Sequence, residues 1–516
     1  MKYRYLLATC GLALLTAPHA QAQSAEEAGS EIIVTARKRT ESILKVPVVA
    51  TAIGQEELER HQLNDLQSIA TRVPGLTLGE GVGTVGLQVS MRGIGPTSQT
   101  ATVDQSVSLN IDGLALSQGF AFSAGMFDVG QIEVLKGPQA LFFGKNSPAG
   151  VISLRSADPT DEFELTARAG YEIEAREKVG ELVVSGPVAP GLKLRLATRY
   201  SDSDGFFRNT GSPIPNLGSL PPKHRRLGPS HEWIVRGTAL FEPSSSYTAR
   251  LKLNYVDFRM VGSGGDGQVT YCPDGRGGVA PINVPFLQDS DCKLDRNTQL
   301  GDFDPAFYPG IRNNGVPFAD SFQLFGTLEQ DFRFSDGLTL TSVTGGYRMR
   351  QDNLIRGDGS STTVFAADYG FRNKQFTQEL RLTSDFVNAP LNFMVGGFYQ
   401  RGRMEVTNGL RGNGAFGLPP LLQSALHKVD IDSISAFGQL IWKITPKVEL
   451  AGGARWTRET REHREFDGFN NYAPVPLLVP KLRASNISPE ASLTYTPTDD
   501  LTVFGSYKQG FKSGSF

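Results

Sequence analysis

The chain is poor in cysteine, in histidine and in long apolar runs. Three cysteines and six histidines occur in 516 residues, and no Gly-x-Ser-x-Gly or His-Glu-x-x-His motif is present. These absences predict that the chain is not an enzyme and has no bound cofactor or metal site. Beyond the N-terminal segment, no run of 18 apolar residues is available for a transmembrane helix. The net charge of −2, from interspersed acids and bases, argues against a nucleic-acid-binding surface.

The N-terminus has the pattern of a secretory signal peptide. A basic head precedes an apolar run at 6–15, which is too short to span a bilayer as a helix. Ala20-Gln21-Ala22 then offers small residues for cleavage, so we predict a signal peptide over residues 1–22. A lipoprotein signal at Cys10 is disfavoured because almost no apolar stretch precedes that cysteine.

Two cysteines remain after removal of the signal peptide. Cys272 and Cys292 belong to an exported chain, and we predict a disulfide between them. Metal ligation is disfavoured because no histidine lies between them. Aspartates make the same loop acidic, but the spacing of an EF-hand is absent, so a solvated loop is favoured over a calcium site.

Residues 46–159 have the mixed character of a small α+β domain. Leu58, Leu63, Leu66 and Ile69 have helical spacing, which predicts a helix over 56–69. Glycines and polar loops separate short β-prone segments after this helix. The predicted strands are 87–91, 107–111, 132–135 and 151–154.

From residue 160 onward, apolar and polar residues alternate in segments of about ten residues, which is typical of a transmembrane β-barrel. Short turns at 241–246, 334–337 and 444–447 alternate with long excursions, which include 201–230, 259–320, 401–431 and 458–484. Such alternation of short and long connections is typical of an outer-membrane barrel, which has short periplasmic turns and long outer loops. We count roughly thirteen strands, an odd number that does not close such a barrel, and therefore expect a truncated chain.

Several motifs resemble those of the TonB-dependent outer-membrane receptor family. They are Val73-Pro74-Gly75-Leu76, Met91-Arg92-Gly93-Ile94-Gly95, Asn110-Ile111-Asp112-Gly113, Ile132-Glu133-Val134-Leu135-Lys136-Gly137-Pro138-Gln139-Ala140 and Phe143-Gly144-Lys145-Asn146-Ser147-Pro148-Ala149-Gly150-Val151-Ile152. The resemblance implies a mainly β fold: an antiparallel transmembrane β-barrel of about 22 strands, about 13 of them here, with an N-terminal α+β plug. The implied domains are a signal peptide (1–22), a periplasmic tail with a TonB box (23–45), a plug (46–159) and a truncated barrel (160–516).

The resemblance also implies a function and partners. A segment resembling the TonB box comprises Glu31, Ile32, Ile33, Val34, Thr35 and Ala36. Such a β-branched segment can add as an edge strand to the sheet of TonB, the inner-membrane energising partner. The expected activity is active import of a scarce ligand, most commonly an iron chelate of the siderophore type, in the Gram-negative outer membrane, with lipid around the barrel.

Other functions remain open at this point. Import of an oligosaccharide, an aromatic compound, a steroid or a cobalamin would use the same fold. A signalling receptor is disfavoured because only residues 23–30 precede the box, where that class has a further folded domain. The expected plug and box argue against a passive porin.

Two sets of site residues follow from the resemblance. The first is a lock of plug cations against barrel carboxylates: Arg92 and Lys136, with Glu379 and Glu490 as candidate partners. The alternative is that the two glutamates are ordinary lumen charges. The second set is the ligand contacts at the plug apices, Gln99, Gln118, Phe120 and Phe122, for which plain loop chemistry is the alternative.

Overall fold

The computed structural model describes residues 32–39, 41–80, 86–96, 101–123, 126–262, 268, 292–356 and 361–516. The predicted signal peptide, Glu31, Gln99 and Cys272 lie outside these ranges. Residues 32–159 are called the plug below.

The described residues of the plug contain nine strands. They are β1 (Ile33–Val34), β2 (Glu41–Ser42), β3 (Ala50–Gly54), β4 (Leu76–Glu80), β5 (Leu87–Met91), β6 (Val107–Ile111), β7 (Leu114–Leu116), β8 (Val129–Lys136) and β9 (Gly150–Ser156). Five of them form the central sheet of the plug in the order β3-β8-β9-β6-β7. Strand β6 runs parallel to β9, and the other neighbours are antiparallel. All four strands predicted in this domain are present.

Two short helices replace the single predicted helix. They are α1 (Gln55–Arg60) and α2 (Leu66–Ala70), and a third helix, α3 (Ala140–Phe143), follows β8. Gln62 adopts a positive φ of 51°, which ends the first helix, and Asp65 caps the second by accepting from the Ser68 amide. The four predicted apolar residues are nevertheless buried together in the core. No helix among the described residues is long and apolar enough to cross a membrane.

Two of the family-like motifs form turns that the plug needs. In the hairpin between β6 and β7, Asp112 and Gly113 both have positive φ, and the Asn110 side chain accepts from the Gly113 amide at 3.0 Å. Strands β4 and β5 pair with each other, and the Arg92 amide donates to the Gly75 carbonyl at 2.7 Å.

A second, much larger antiparallel sheet of 14 strands follows the plug and is called the barrel sheet. Thirteen of these strands, the number counted from the sequence, pair one after another in chain order, and the first and the last of them form the two edges of the sheet. They are β10 (Glu164–Tyr171), β11 (Lys178–Ala189), β12 (Leu192–Ser203), β16 (Ser230–Ser244), β17 (Tyr247–Val261), β20 (Phe318–Ser335), β21 (Leu338–Arg356), β22 (Phe365–Ser384), β23 (Leu391–Gly412), β24 (Gln423–Thr445), β25 (Val448–Asp467), β27 (Lys481–Thr498) and β28 (Leu501–Lys508).

Six short strands lie in the described parts of the connections at one end of this sheet. They are β13 (Phe207–Asn209), β14 (Ser219–Leu220), β15 (Arg226–Leu227), β18 (Asn297–Thr298), β19 (Asp302–Phe303) and β26 (Ala473–Val475), and only β26 joins the barrel sheet itself. Short 3-10 helices lie at Gly119–Ser123, Arg312–Gly315, Gly414–Phe416 and Gly468–Asn470.

Strands of the barrel sheet are longer than the alternation predicts. Strand β24 has 23 residues and β23 has 22, whereas about ten residues suffice to cross a bilayer. The predicted excursions at 401–431 and 458–484 are therefore largely paired strand. These strand segments were not predicted because they carry many charged residues. A strand that continues beyond the bilayer needs no apolar face.

The plug packs against the buried face of the barrel sheet. One apolar core joins plug residues such as Leu109 and Phe120 to Phe325, Tyr347 and Phe371 of the sheet. The opposite face of the sheet exposes apolar side chains, as expected of a surface turned toward lipid.

Candidate functional site: the interface between plug and barrel sheet

The predicted TonB box is docked on the plug. Strand β1 pairs antiparallel with β2, and the Ile43 amide donates to the Ile32 carbonyl at 2.9 Å. Val34 and Ala36 are fully buried in a small apolar cluster with Leu135 and Val151. The described part of the box, 32–36, is therefore held by a short strand pair and a few apolar contacts.

One buried carboxylate holds this docked segment. Both the amide and the hydroxyl of Thr35 donate to one oxygen of Glu133, at 2.9 and 3.0 Å. Burial raises the pKa of Glu133 above its ordinary value, against the lowering effect of the Thr35 hydrogen bonds. The side-chain amide of Gln131, also on β8, donates to the backbone carbonyl of Ile33 at 2.6 Å.

Cations next to the box contact the barrel sheet. Arg37 donates to Glu449 of β25 at 2.9 Å and to Glu41 at 2.8 Å. Lys38 lies 3.9 Å from Glu379 of β22, and burial lowers the pKa of this lysine. Glu449 is the second residue of β25, just after the tight turn at 446–447, so the tight turns and the box lie at the same end of the sheet.

Three plug aspartates pair with basic residues of the barrel sheet. Asp112 lies 3.1 Å from Lys252, and Asp158 lies 3.0 Å from both Lys252 and Arg250. Burial alone would raise the pKa of Asp158, but these two cations hold it below its ordinary value. Asp128 pairs with Arg195 at 2.7 Å.

A buried ionic network lies farther from the box. Asp104 of the plug pairs with Arg461 of β25, and Lys145 of the plug pairs with Glu459 of the same strand. Arg461 also contacts Glu459 at 2.8 Å, so two acids and two bases form one continuous group. The charges compensate one another, which is the condition for burying them.

Asp104 is the centre of this network. It accepts hydrogen bonds from Ser117 at 2.6 Å, Gln118 at 2.8 Å and Asn146 at 2.9 Å. Burial would raise the pKa of Asp104, but Arg461 and Lys145 hold it below its ordinary value. The carboxylate therefore joins three plug segments to the barrel sheet.

Beside this network, at the end of the sheet away from the box, lies a cavity of about 420 Å³. Thr102 of the plug and Tyr369, His427, His463 and Phe516 are among its lining residues. Its walls combine aromatic rings with a few polar groups, the usual composition of a small-molecule site.

Comparison with known proteins identifies the family. The model of the TonB-dependent receptor plug domain matches residues 42–151, and the model described as TonB dependent receptor-like, beta-barrel, matches residues 263–516. Together they cover well over half of the chain. The chain belongs to the TonB-dependent receptor family.

Several known bacterial proteins are similar to this receptor in sequence. The pesticin receptor of Yersinia pestis is 24% identical over 528 residues, which cover 99% of this chain and 68% of that protein. The iron-regulated outer membrane virulence protein of Vibrio cholerae is 24% identical over 233 residues, which cover 43% of this chain and 35% of that protein.

Solved structures share the fold. The ferric yersiniabactin uptake receptor of Yersinia pestis superposes with a TM-score of 0.70 at 17% identity, covering 90% of this chain and 65% of that one. The siderophore receptor PiuA of Acinetobacter baumannii gives 0.68 at 18% identity, covering 91% and 65%. This receptor chain thus spans about two thirds of the length of these two solved structures.

Family and fold settle several predictions. The receptor is a mainly β outer-membrane protein of a transport family and not an enzyme. Receptors of this family bind siderophore-type ligands and interact with TonB. The plug boundaries at 46 and 159 stay predictions: the plug match begins at 42 and ends at 151, and the barrel sheet begins at Glu164. The total of 22 strands and the truncation also stay predictions.

The predicted lock residues are not brought together. Arg92 is exposed, and Lys136, beside it, has a pKa lowered by partial burial and by the Arg92 charge. Neither cation forms an ion pair with a described residue of the barrel sheet. Glu379 does face a plug cation, but that cation is Lys38, and Glu490 lies 3.0 Å from Lys508 of the neighbouring strand. The described plug and barrel sheet are joined instead by the ion pairs given above, in which the plug supplies four acids and three bases.

Three of the four predicted ligand contacts, Gln118, Phe120 and Phe122, are buried, and Gln99 lies outside the described residues. Gln118 bonds to Asp104 and accepts from Asn373 of β22 at 3.0 Å. Phe120 lies 5.1 Å from the Phe371 ring, and Phe122 is 1% exposed. Ligand contact by these residues therefore stays a prediction. Cys292 is disulfide-bonded, while its predicted partner Cys272 lies outside the described residues.

Sequence reasoning missed Asp104, Lys145, Glu459 and Arg461. One signal for them was present: Glu459 and Arg461 alternate with exposed residues on β25, so both face the interior of the sheet. Which plug residue meets them depends on how the plug sits in the barrel, and local sequence patterns carry no such information.

Proposed function

We propose that this receptor imports a ferric siderophore-type complex across the outer membrane, driven through its box segment by TonB. Membership of the family and the iron-related names of some relatives support the ligand class. The observation that carries the proposal is the docked box, a β-branched segment held on the plug by few interactions. Such a segment can be exchanged between the plug and a partner sheet.

Release of the box has a modest free-energy cost. Strand β1 has two residues, and Thr35 donates two hydrogen bonds to Glu133, one from its backbone amide and one from its hydroxyl. Each such hydrogen bond contributes on the order of 1 kcal/mol, or more to a charged acceptor. Ladder bonds to a partner sheet would replace these hydrogen bonds and offset part of the cost of release.

The plug is held by contacts that water can take over. Ion pairs such as Asp112 with Lys252 and Asp128 with Arg195 are strong while buried. Once the plug moves, water solvates both partners, which lowers the cost of separation relative to an apolar interface of equal area. A pulled plug can therefore open a path without leaving large apolar surfaces exposed.

The test is energised uptake by cells that carry this receptor. Accumulation of radiolabelled ferric siderophores is compared between the unchanged receptor and Ile33→Pro. Proline lacks the amide proton and interrupts strand addition. We expect uptake to fall to the level of a TonB-deficient strain, while binding of the ferric siderophore at the cell surface is retained.

Ile33→Ala is the matched control. The Ile33 side chain is 39% exposed, and alanine keeps the backbone donor, so uptake should stay near the unchanged level. Uptake that persists in Ile33→Pro would refute energisation through the box. Failure of every ferric siderophore to bind or enter would refute the ligand class and direct the search to organic nutrients.

A further inference from the structure

Two histidines and a glutamate converge at the outer end of β24 and β25. His427 of β24 is the direct cross-strand partner of Glu465 on β25, and His463 lies two residues before Glu465. The alternation of β25 places His463 and Glu465 on the same face as Arg461, the interior of the sheet. Both histidines line the 420 Å³ cavity described above.

The nitrogen atoms of the two histidines point toward each other. Nδ1 of His427 lies 3.2 Å from Nε2 of His463, at hydrogen-bond distance. Nδ1 of His427 lies 3.9 Å from the Glu465 carboxylate, and the ligand atoms of all three residues lie within 4.8 Å of one another. Side chains of His427 and Glu465 are 22% and 30% exposed, so an ion can reach them.

We propose that His427, His463 and Glu465 bind one divalent transition-metal ion of the zinc type, independently of any imported iron complex. Metal–nitrogen bonds of 2.0–2.1 Å place two ligands of a tetrahedral ion roughly 3.3–3.4 Å apart. The observed separation of 3.2 Å is close to that value. Ligands on opposite sides of one metal would be about 4 Å apart, so the pair suits neighbouring positions of a single ion.

The donor set also selects the class of metal. Two imidazoles and a carboxylate suit zinc, copper, nickel or ferrous iron, whereas magnesium and calcium prefer oxygen ligands throughout. Three protein ligands leave a fourth position of a tetrahedral ion free, as in zinc sites that exchange a ligand. Because the histidines line the cavity, that position is accessible to a water molecule or a small ligand there.

The same geometry serves a simple hydrogen bond, since one imidazole can donate to the other. The two rings are 5.4 Å apart with an angle of 26° between their planes, and the His463 ring also lies 4.9 Å from Phe516. A hydrogen-bonded pair would take up no metal at micromolar concentration. Metal titration therefore separates the two interpretations.

The test is calorimetric titration of the purified receptor in detergent with zinc chloride. We expect one saturable site per chain. Each of His427→Ala, His463→Ala and Glu465→Gln should weaken binding at least ~10-fold, since loss of even an outer-shell partner of a ligand costs 10- to 100-fold. His231→Ala is the matched control, because His231 is an exposed histidine on another strand of the barrel sheet, and it should bind zinc unchanged.

A second measurement protects the test against misfolded variants. X-ray absorption at the zinc edge of the unchanged, zinc-loaded receptor should show two imidazole nitrogens at about 2.0 Å. The proposal is overturned by absence of saturable binding, by an equal loss of binding in His231→Ala, or by a spectrum without imidazole ligands.

Discussion

The buried network of Asp104, Arg461, Glu459 and Lys145 makes a quantitative prediction about how the plug is held. Asp104 and Arg461 are each 1% exposed, and together the four residues carry no net charge. Removal of one partner from a buried ion pair costs about 3–5 kcal/mol. We expect the lower half of this range, because each remaining charge keeps a second partner: Asp104 keeps three neutral donors, and Arg461 keeps Glu459.

A double-mutant cycle tests this with Asp104→Asn, Arg461→Met and the combination. Each single change leaves one uncompensated charge, but the double variant retains only the neutral pair of Lys145 and Glu459. Its loss of stability should therefore be well below the sum of the single losses, with a coupling of at least ~1 kcal/mol. Additive losses, within about 0.5 kcal/mol, would refute the network as a source of plug stability.

Hydrogen exchange measured by mass spectrometry is the suitable assay. The three tryptophans lie on strands of the barrel sheet, so their fluorescence does not report on the plug directly. Exchange of plug peptides covering 101–116 and 140–156 should accelerate roughly a hundredfold for a loss of about 3 kcal/mol. Peptides of the barrel sheet serve as the internal reference. Glu56→Gln breaks an exposed plug ion pair with Arg60 and should cost less than ~1 kcal/mol.

Two further predictions concern the box and the plug apex. The pKa of Glu133 is raised by burial in the folded plug, so its contribution to folding is fully present below the ordinary value of 4.5 and is lost as pH rises through the raised pKa. Glu133→Gln should remove this part of the pH dependence of plug stability, measured by hydrogen exchange of peptides covering 129–136, and an unchanged pH profile would contradict the assignment. Phe120→Ala should destabilise the plug by about 3–5 kcal/mol, because its ring packs on Phe371, with faster exchange at 114–123. Ligand affinity that falls at unchanged exchange rates would instead establish Phe120 as a ligand contact.

Strands of the plug were predictable because their signal is local. Strands 87–91 and 107–111 agree at both ends with β5 and β6, since β-prone residues there are bounded by glycines and turn residues. The helix at 56–69 was predicted as one element because its apolar residues keep helical spacing across the break. Asp65 is a good N-cap residue, and that signal could have located the start of α2.

Partners across the interface were not predictable in the same way. The alternation of β22 correctly places Glu379 on the interior face, but its cation is Lys38, which lies between β1 and β2 next to the box. Arg92 and Lys136 lie in the family-like motifs of the plug, but neither forms an ion pair with a described residue of the barrel sheet. Such pairings depend on the rotation of the plug inside the sheet, which the packing of the complete core determines.

The topology of the plug separates the part next to the box from the rest. Strand β3 follows the box in sequence and lies at the edge of the five-stranded sheet, where only β8 pairs with it. Asp112 and Asp128 anchor later elements to the barrel sheet, whereas the described residues 32–54 contact it through the ion pairs of Arg37 and Lys38. A force applied at the box therefore meets the contacts of the box with β8, an edge strand and two ion pairs before it reaches the elements that Asp112 and Asp128 anchor. Removal of β3 breaks one ladder and leaves the other four strands paired, so the fold permits partial opening of the plug without loss of its core.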